Sequence, residues 1–272
     1  MPGRFEGLTD EQWEVLRPLL PPEPEKRGRG MPHADWRKLL NTIMWVLITG
    51  SRWCDVPREK IWGSRAGAHR WLGKWMKDGT WQRIKAYLLG AAELAGKINW
   101  ARVSVDGSFS PGEGRGDNVE YGFKGKGITI HSLVDGEGRP LAVVTTGAKG
   151  DERSQVVPLL GAIKLKTGRK GRPRCRPKEL QADKGYDSKE LRNQLRKKGI
   201  RPLIPLREWQ GRKKRRGRRP PTLVDRWKVE RTFAWYQRKF RRLVTRWERR
   251  SLYWNGFLLL AVCIMWLEVL VR

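Results

Sequence analysis

Histidine and cysteine are scarce, with three of each in 272 residues. The cysteines, Cys54, Cys175 and Cys263, lie far apart, and the histidines are His33, His69 and His131. No Cys/His spacing of a zinc site exists. An odd number of distant cysteines also builds no disulfide framework, which points to a reducing cytoplasm. The N-terminus lacks the pattern of a signal peptide. Long apolar runs are lacking too. The strongest, residues 256–267, spans about 12 residues between Asn255 and Glu268, whereas a membrane span needs about 20. It reads as a buried core helix, and no membrane partner is expected.

The most consequential shortage is of acid. There are 28 Asp and Glu against 58 Lys and Arg, a net charge of +30. Folding does not require such an excess, and self-repulsion opposes it. A polyanionic partner explains it, because each neutralised phosphate releases condensed counterions. Nucleic acid is favoured over an anionic membrane surface. What the chain has in plenty is tryptophan, 15 in all. Most, such as Trp13, Trp36 and Trp45, read as core or helix-packing residues, leaving a few to stack on bases.

Residues 1–98 read as helices. Thr9 can cap a first helix with Gln12 as its reciprocal partner, and Pro18 with Pro21-Pro22 stops it. A Pro/Gly/Arg linker, 22–32, precedes a helix over 33–49 with Trp36, Leu39, Leu40, Ile43 and Leu47 at helical spacing, closed by Gly50. Further helices are expected near 64–77 and 80–95. This region reads as a helix-turn-helix-like DNA-binding domain, with a helical cap on the rest of the chain as the alternative. The segment 65–77, carrying Arg65, His69, Arg70 and Lys74, is the expected groove-facing helix.

Residues 99–272 change pattern. A strand over 101–105 ends at Asp106, a Gly-rich stretch covers 107–127, and strands at 128–134 and 141–146 flank a turn at Asp135-Gly136. A helix over 152–164, a strand over 179–182, a helix over 189–198 and a strand over 201–206 follow. Basic loops lie at 167–177 and 212–219. A long helix from about residue 224 carries the stripe Val229, Phe233, Tyr236, Phe240, Leu243 and Trp247, and a last helix covers 252–271. This order is that of an RNase H-like α/β core, a mixed sheet flanked by helices.

Two aspartates follow apolar strands: Asp106 after Val103-Ser104-Val105, and Asp183 after Leu180-Gln181-Ala182. Ligands bind at such strand ends. Glu230 follows the stripe residue Val229, at the border of the buried face. Asp117, Asp135, Asp151 and Asp187 read as turn or cap residues, with Asp151 held in reserve for a supporting role. His131, on an expected strand, reads as a core or sheet-face residue.

The segments Val105-Asp106-Gly107-Ser108, Ala182-Asp183-Lys184-Gly185-Tyr186-Asp187 and Arg226 to Glu230-Arg231 resemble the DDE transposases of bacterial insertion sequences, in particular family five within the wider family-four group. Leu8-Thr9-Asp10-Glu11-Gln12-Trp13 and Ser51-Arg52-Trp53 also look like that family's N-terminal region, so the resemblance spans nearly the whole chain. The family-four pattern around the glutamate has Tyr, Arg, Glu and Lys. Here Leu223 and Gln237 stand at the Tyr and Lys positions, with Arg238 or Lys239 as substitute cations.

The resemblance implies that Asp106, Asp183 and Glu230 are catalytic and hold two divalent ions, Mg2+ or alternatively Mn2+. Hard ions favour carboxylate oxygen, and a pair about 3.5–4 Å apart stabilises both attacking and leaving oxygens. Asp106 would share both ions. Water would cut the terminal inverted repeats, and the freed 3′-hydroxyl would join target DNA. Lys184, Arg226, Arg231, Arg238 and Lys239 would grip the DNA backbone. The setting implied is the bacterial cytoplasm, on the nucleoid, with a homodimer pairing the two element ends on double-stranded DNA. An RNase H-like nuclease without joining, or a non-catalytic DNA-binding regulator, are the alternatives.

Overall fold

The computed structural model describes residues 5–24, 35–113, 116–171, 176–207 and 226–271. The basic loop 212–219, Leu223, Cys175, His33 and the expected start of the long helix lie outside the described residues.

The helical region is built by local capping signals. Helix α1 (Asp10–Leu16) begins with a reciprocal pair in which Thr9 Oγ1 accepts from the Gln12 amide and Gln12 Oε1 accepts from the Thr9 amide. Helix α2 (Trp36–Thr49) starts at Trp36 rather than 33 because the Asp35 carboxylate accepts from the Lys38 amide at 2.8 Å. It stops at Gly50, whose φ of 72° is the left-handed conformation of a helix end. Helices α3 (Arg65–Lys77) and α4 (Thr80–Leu94) are separated by an Asp78-Gly79 turn.

Strand β1 (Arg102–Pro111) pairs antiparallel with β3 (Gly125–Val134), which pairs antiparallel with β4 (Pro140–Gly147). The other edge of β1 runs parallel to β5 (Glu179–Gln181), and β5 parallel to β6 (Arg201–Leu203). The spatial order β4-β3-β1-β5-β6 is the RNase H-like arrangement expected from the sequence. A short β2 (Glu120–Gly122) pairs with the start of β3.

Two expectations are corrected, and the Gly-rich stretch 107–127 gains structure: within it β1 continues to Pro111, and β2 returns as a hairpin on β3. Glycine permits this because a Cβ on Gly127 would lie 2.3 Å from the Ser110 carbonyl oxygen. The expected helix over 152–164 is a 3-10 turn followed by the short α5 (Val156–Gly161). The long stripe helix is only α7 (Trp227–Lys239), and the chain breaks at Phe240, with φ −114° and ψ 76°. Tertiary bonds impose that break. Buried Arg242 bonds Glu248 and the Ser51 carbonyl, while the Arg246 amide bonds the Pro111 carbonyl at 2.7 Å. Helix α6 (Lys189–Lys197) lies between β5 and β6 in the chain.

Helix α8 (Ser251–Leu270) is 20 residues long and apolar enough to cross a membrane, yet 67% of its most apolar window is buried inside the fold. It packs on α2, α3, α4 and β4. Gly73 meets Tyr253, and Gly256 meets Leu72 and Met76, so α3 and α8 approach closely. On its sheet side Trp266 Nε1 donates to the Pro140 carbonyl at 2.7 Å. The N-terminal helices and the sheet therefore share a core through α8.

Candidate active site

Asp106 lies in the middle of β1, not at its end. Pairing with β5 stops at Ser104–Gln181, so past that point no strand pairs with this edge of β1 until Pro111, whose carbonyl accepts from the Arg246 amide. Asp183 follows two residues after β5 and caps a 3-10 turn, its Oδ1 accepting from the Lys184 amide at 2.6 Å. Helix α7 lies against β1 and β3 and presents Arg226 and Glu230 one turn apart. It is clamped to the β3–β4 turn: Lys228, Arg231 and Thr232 bond the carbonyls of Gly136, Glu137 and Gly138.

The three acids meet on one guanidinium. Arg226 Nη1 lies 2.8 Å from Asp183 Oδ1, Nε 3.3 Å from Glu230 Oε1, and Nη2 4.0 Å from Asp106 Oδ2. Asp106 is the most enclosed, with 20% of its side chain exposed against 37% for Asp183 and 57% for Glu230. Burial raises its pKa; the Gly107 amide and then Arg226 oppose that, and the Glu152 and Asp183 charges add to it.

One positive charge does not neutralise three negative ones. The site keeps an uncompensated anionic character built from oxygen donors alone, which suits a hard divalent cation. As they stand, no three His, Cys, Asp or Glu among the described residues share a common ion position. The three carboxylates are instead gathered around Arg226. The donor chemistry fits a metal, on condition that Arg226 withdraws.

Two further residues join this group without having been marked as site residues in the sequence. Glu152 faces Gly107, where an added Cβ would lie 3.0 Å from its carboxylate oxygen. The buried Tyr186 hydroxyl has no hydrogen bond of good geometry. Burial first, and then the Glu152 and Asp106 charges, push its pKa far up. The signals were Gly107 beside Asp106, and Tyr186 within the second aspartate motif. The reserve candidate Asp151 is exposed and pairs with Arg153 at 3.1 Å instead. Asp117, Asp135 and Asp187 hold the Ser251, Arg139 and Arg207 amides, as turn and cap residues do. His131 is fully buried on β3, with Nε2 2.8 Å from Thr146 Oγ1.

The expected DNA-gripping residues divide. Lys184 and Arg238 are exposed. Arg231 packs within the fold: its guanidinium lies 4.8 Å from the Trp227 ring and 4.6 Å from that of Trp235, besides its bond to Glu137. Lys239 is paired with Glu268 on α8. On α3, Arg65, Arg70 and Lys74 are exposed. His69 is exposed as well, and its ring stacks on Tyr253 at 4.2 Å and meets Trp53 edge-on, joining α3 to α8.

An RNase H-like sheet with converging carboxylates defines a class of nucleic-acid-processing folds, and comparison with known proteins narrows it. Two family profiles match, a putative transposase of IS4/5 family over residues 8–85 and a transposase DDE domain over residues 101–266. This chain belongs to the DDE transposase family. It is similar to the putative transposase for insertion sequence element IS402 of Burkholderia cepacia, 41% identical over 140 residues, covering 51% of this chain and 62% of that protein. It also resembles the uncharacterized 16.2 kDa protein of insertion element IS402 from the same organism, 35% identical over 114 residues, 41% of this chain and 78% of that one. Distant solved structures include a piggyBac transposase synaptic complex with hairpin DNA, with TM-score 0.44, 12% identity, and 96% and 70% of the two chains covered. Another is a Mos1 transposase paired-end complex, with TM-score 0.30, 10% identity, and 94% and 67% covered.

Proposed function

We propose that this protein is a transposase that binds the terminal inverted repeats of its own insertion sequence, cleaves the ends and joins the 3′ ends to target DNA. The observation that carries the reading is the convergence of Asp106, Asp183 and Glu230 on Arg226. Asp106, Asp183 and Glu230 would hold two divalent ions, Mg2+ or Mn2+, which when bound activate the attacking hydroxyl and stabilise charge at phosphorus.

The chain's own residues supply the frame. Asp106 is fixed by the sheet on both its β1 neighbours and its Gly107 amide bond, so it can sit between two ions without moving. Arg226 exchanges its three carboxylates for a DNA phosphate, which frees the acids and places a bidentate cation beside the scissile strand. Lys184, next to Asp183, and exposed Arg238 extend that grip. Residues 1–98 recognise element ends through the exposed Arg65, Arg70 and Lys74 of α3, and residues 99–272 carry the chemistry. Pairing of two ends calls for a homodimer on double-stranded DNA, in the bacterial cytoplasm at the nucleoid.

The test incubates the purified protein with Mg2+, a labelled duplex carrying the inverted repeats that flank its gene, and a target plasmid. Joining of 3′ ends, absent in Asp106→Asn while DNA binding persists, is expected. Cutting without joining would make it a nuclease, and specific binding with neither product a regulator; both outcomes reject the proposal.

A further inference from the structure

The tip of the β2–β3 hairpin carries an apolar surface with no partner in the fold. The Phe123 side chain is fully exposed, and Tyr121 is 69% exposed. Burying a phenyl ring is favourable, and the fold leaves that contribution unused here. The hairpin itself is built firmly. Glu120 pairs with Gly127, Tyr121 with Lys126, and Gly122 with Gly125. Gly125 closes the turn at φ 108°, and a Cβ on Gly122 would lie 2.5 Å from the Ala148 carbonyl oxygen, so the hairpin is seated on the loop after β4 right beside its turn.

The charge around the ring has one sign. Residues 121–126 read Tyr-Gly-Phe-Lys-Gly-Lys, with no acid. Lys124 is exposed, and Lys126 Nζ lies 5.9 Å from the Tyr121 ring. Exposed Lys149 follows Ala148 beside the turn. Of the flanking acids, Glu120 folds back against Gly147 and Asp151 pairs with Arg153. An aromatic face between cations is the chemistry that holds a nucleobase and its flanking phosphates. A second copy of the chain is a poor occupant, because the lysines would meet lysines on a molecule of net charge +30.

Position agrees with this. Asp106 and the hairpin share one ladder, since β1 runs on to Pro111, opposite Gly127. At about 3.3 Å per residue the tip stands roughly 25 Å from Asp106, less than one helical turn of duplex.

We infer that the tip 121–126 is a nucleic-acid contact in which Phe123 stacks on an unpaired base while Lys124 and Lys126 hold the adjoining phosphates. The inference rests on the transposase reading, as it takes DNA to be the substrate. It names a site for strand opening separate from the carboxylates.

The test uses the full chain and two DNA probes, a paired 30-mer duplex and the same duplex with a three-nucleotide unpaired bubble containing 2-aminopurine. The wild type should prefer the bubble and quench the 2-aminopurine. Phe123→Ala should lose about ten-fold in bubble affinity and the quench, with paired-duplex affinity changed less than about two-fold. Phe123→Trp should restore both. Lys124→Ala/Lys126→Ala should flatten the salt dependence of log K by roughly one to two. Circular dichroism should be unchanged in all three. Equal bubble binding and quenching by wild type and Phe123→Ala would overturn the inference while leaving the transposase reading intact. Failure of the wild type to bind either probe would reject both. Self-association of the wild type that Phe123→Ala abolishes would make the tip a protein interface and overturn the inference.

Discussion

The α3–α8 crossing and the carboxylate site are held together by opposite means. At the crossing, glycines let the helices approach, and the rings of Trp36, Trp71, Trp75 and Trp81 fill the space beneath α3. Little charge is buried there, and apolar packing dominates, although the indole N–H groups of Trp75, Trp81 and Trp254 are buried without a hydrogen-bond partner. At the carboxylate site three like charges are gathered, and Asp106 is desolvated as well. That arrangement stores repulsion, which Arg226 offsets only in part. The lesson is a division of labour: one region supplies stability, and the other gathers negative charge that Arg226 offsets only in part.

The largest expected effect breaks the first region. Trp75 is fully buried, so Trp75→Ala should cost about 4 kcal/mol in urea unfolding. Where the folded state survives, divalent-ion affinity should be unchanged; a matching loss of ion affinity would merge the two regions into one.

His131 lies within the sheet and sharpens the boundary. Burial holds its pKa at about 4, so the folded protein keeps it neutral while the unfolded chain takes up a proton near pH 6.5. Its contribution is fully present above pH 6.5 and is lost as pH falls from there to about 4, by at most about 3 kcal/mol. The stability of His131→Gln should show a shallower slope in that window, measured as the difference from wild type so that the carboxylates cancel. Equal slopes would show that His131 is not kept neutral.

Neutralising the second region should act in the reverse sense to the tryptophan. Asp106→Asn removes a desolvated charge, so ion-free stability at neutral pH should stay level or rise. The rise in melting temperature on adding Mn2+ should disappear. A large loss of ion-free stability would give Asp106 a structural role. The smallest effect concerns the exposed face of α3: Arg70→Ala/Lys74→Ala should reduce the salt slope of end binding by roughly two and leave stability untouched. An unchanged slope would move the DNA away from α3.

Much of the frame was legible in the sequence. The Thr9–Gln12 cap, the Gly50 stop, the strand order and the pairing of Asp106 with Asp183 all depend on local signals or short motifs. The parts that were not legible depend on partners distant in sequence. Nothing in the Gly-rich stretch marks its strands, yet Gly112 and Gly127 are what allows β1 and the start of β3 to lie so close. The stripe through Phe240 and Leu243 keeps helical spacing and both residues are buried, but Arg242 and Arg246 find carbonyls only if the helix breaks. Arg231 beside Glu230 reads as a DNA contact, and its packing on the β3–β4 turn and two tryptophans has no signal in the sequence. Glu152 has no motif at all, and only the missing side chain at Gly107 brings it to the acids.

The central claim is that Asp106, Asp183 and Glu230 form one divalent-ion site that Arg226 occupies in the metal-free protein. Calorimetric titration of Mn2+ into the wild type, the three single amide variants and Arg226→Gln tests it most directly. The account predicts that Asp106→Asn, Asp183→Asn and Glu230→Gln each lose about ten-fold or more in affinity, while Arg226→Gln binds several-fold tighter than wild type. Unchanged affinity in the amide variants, or weaker binding by Arg226→Gln, would contradict it.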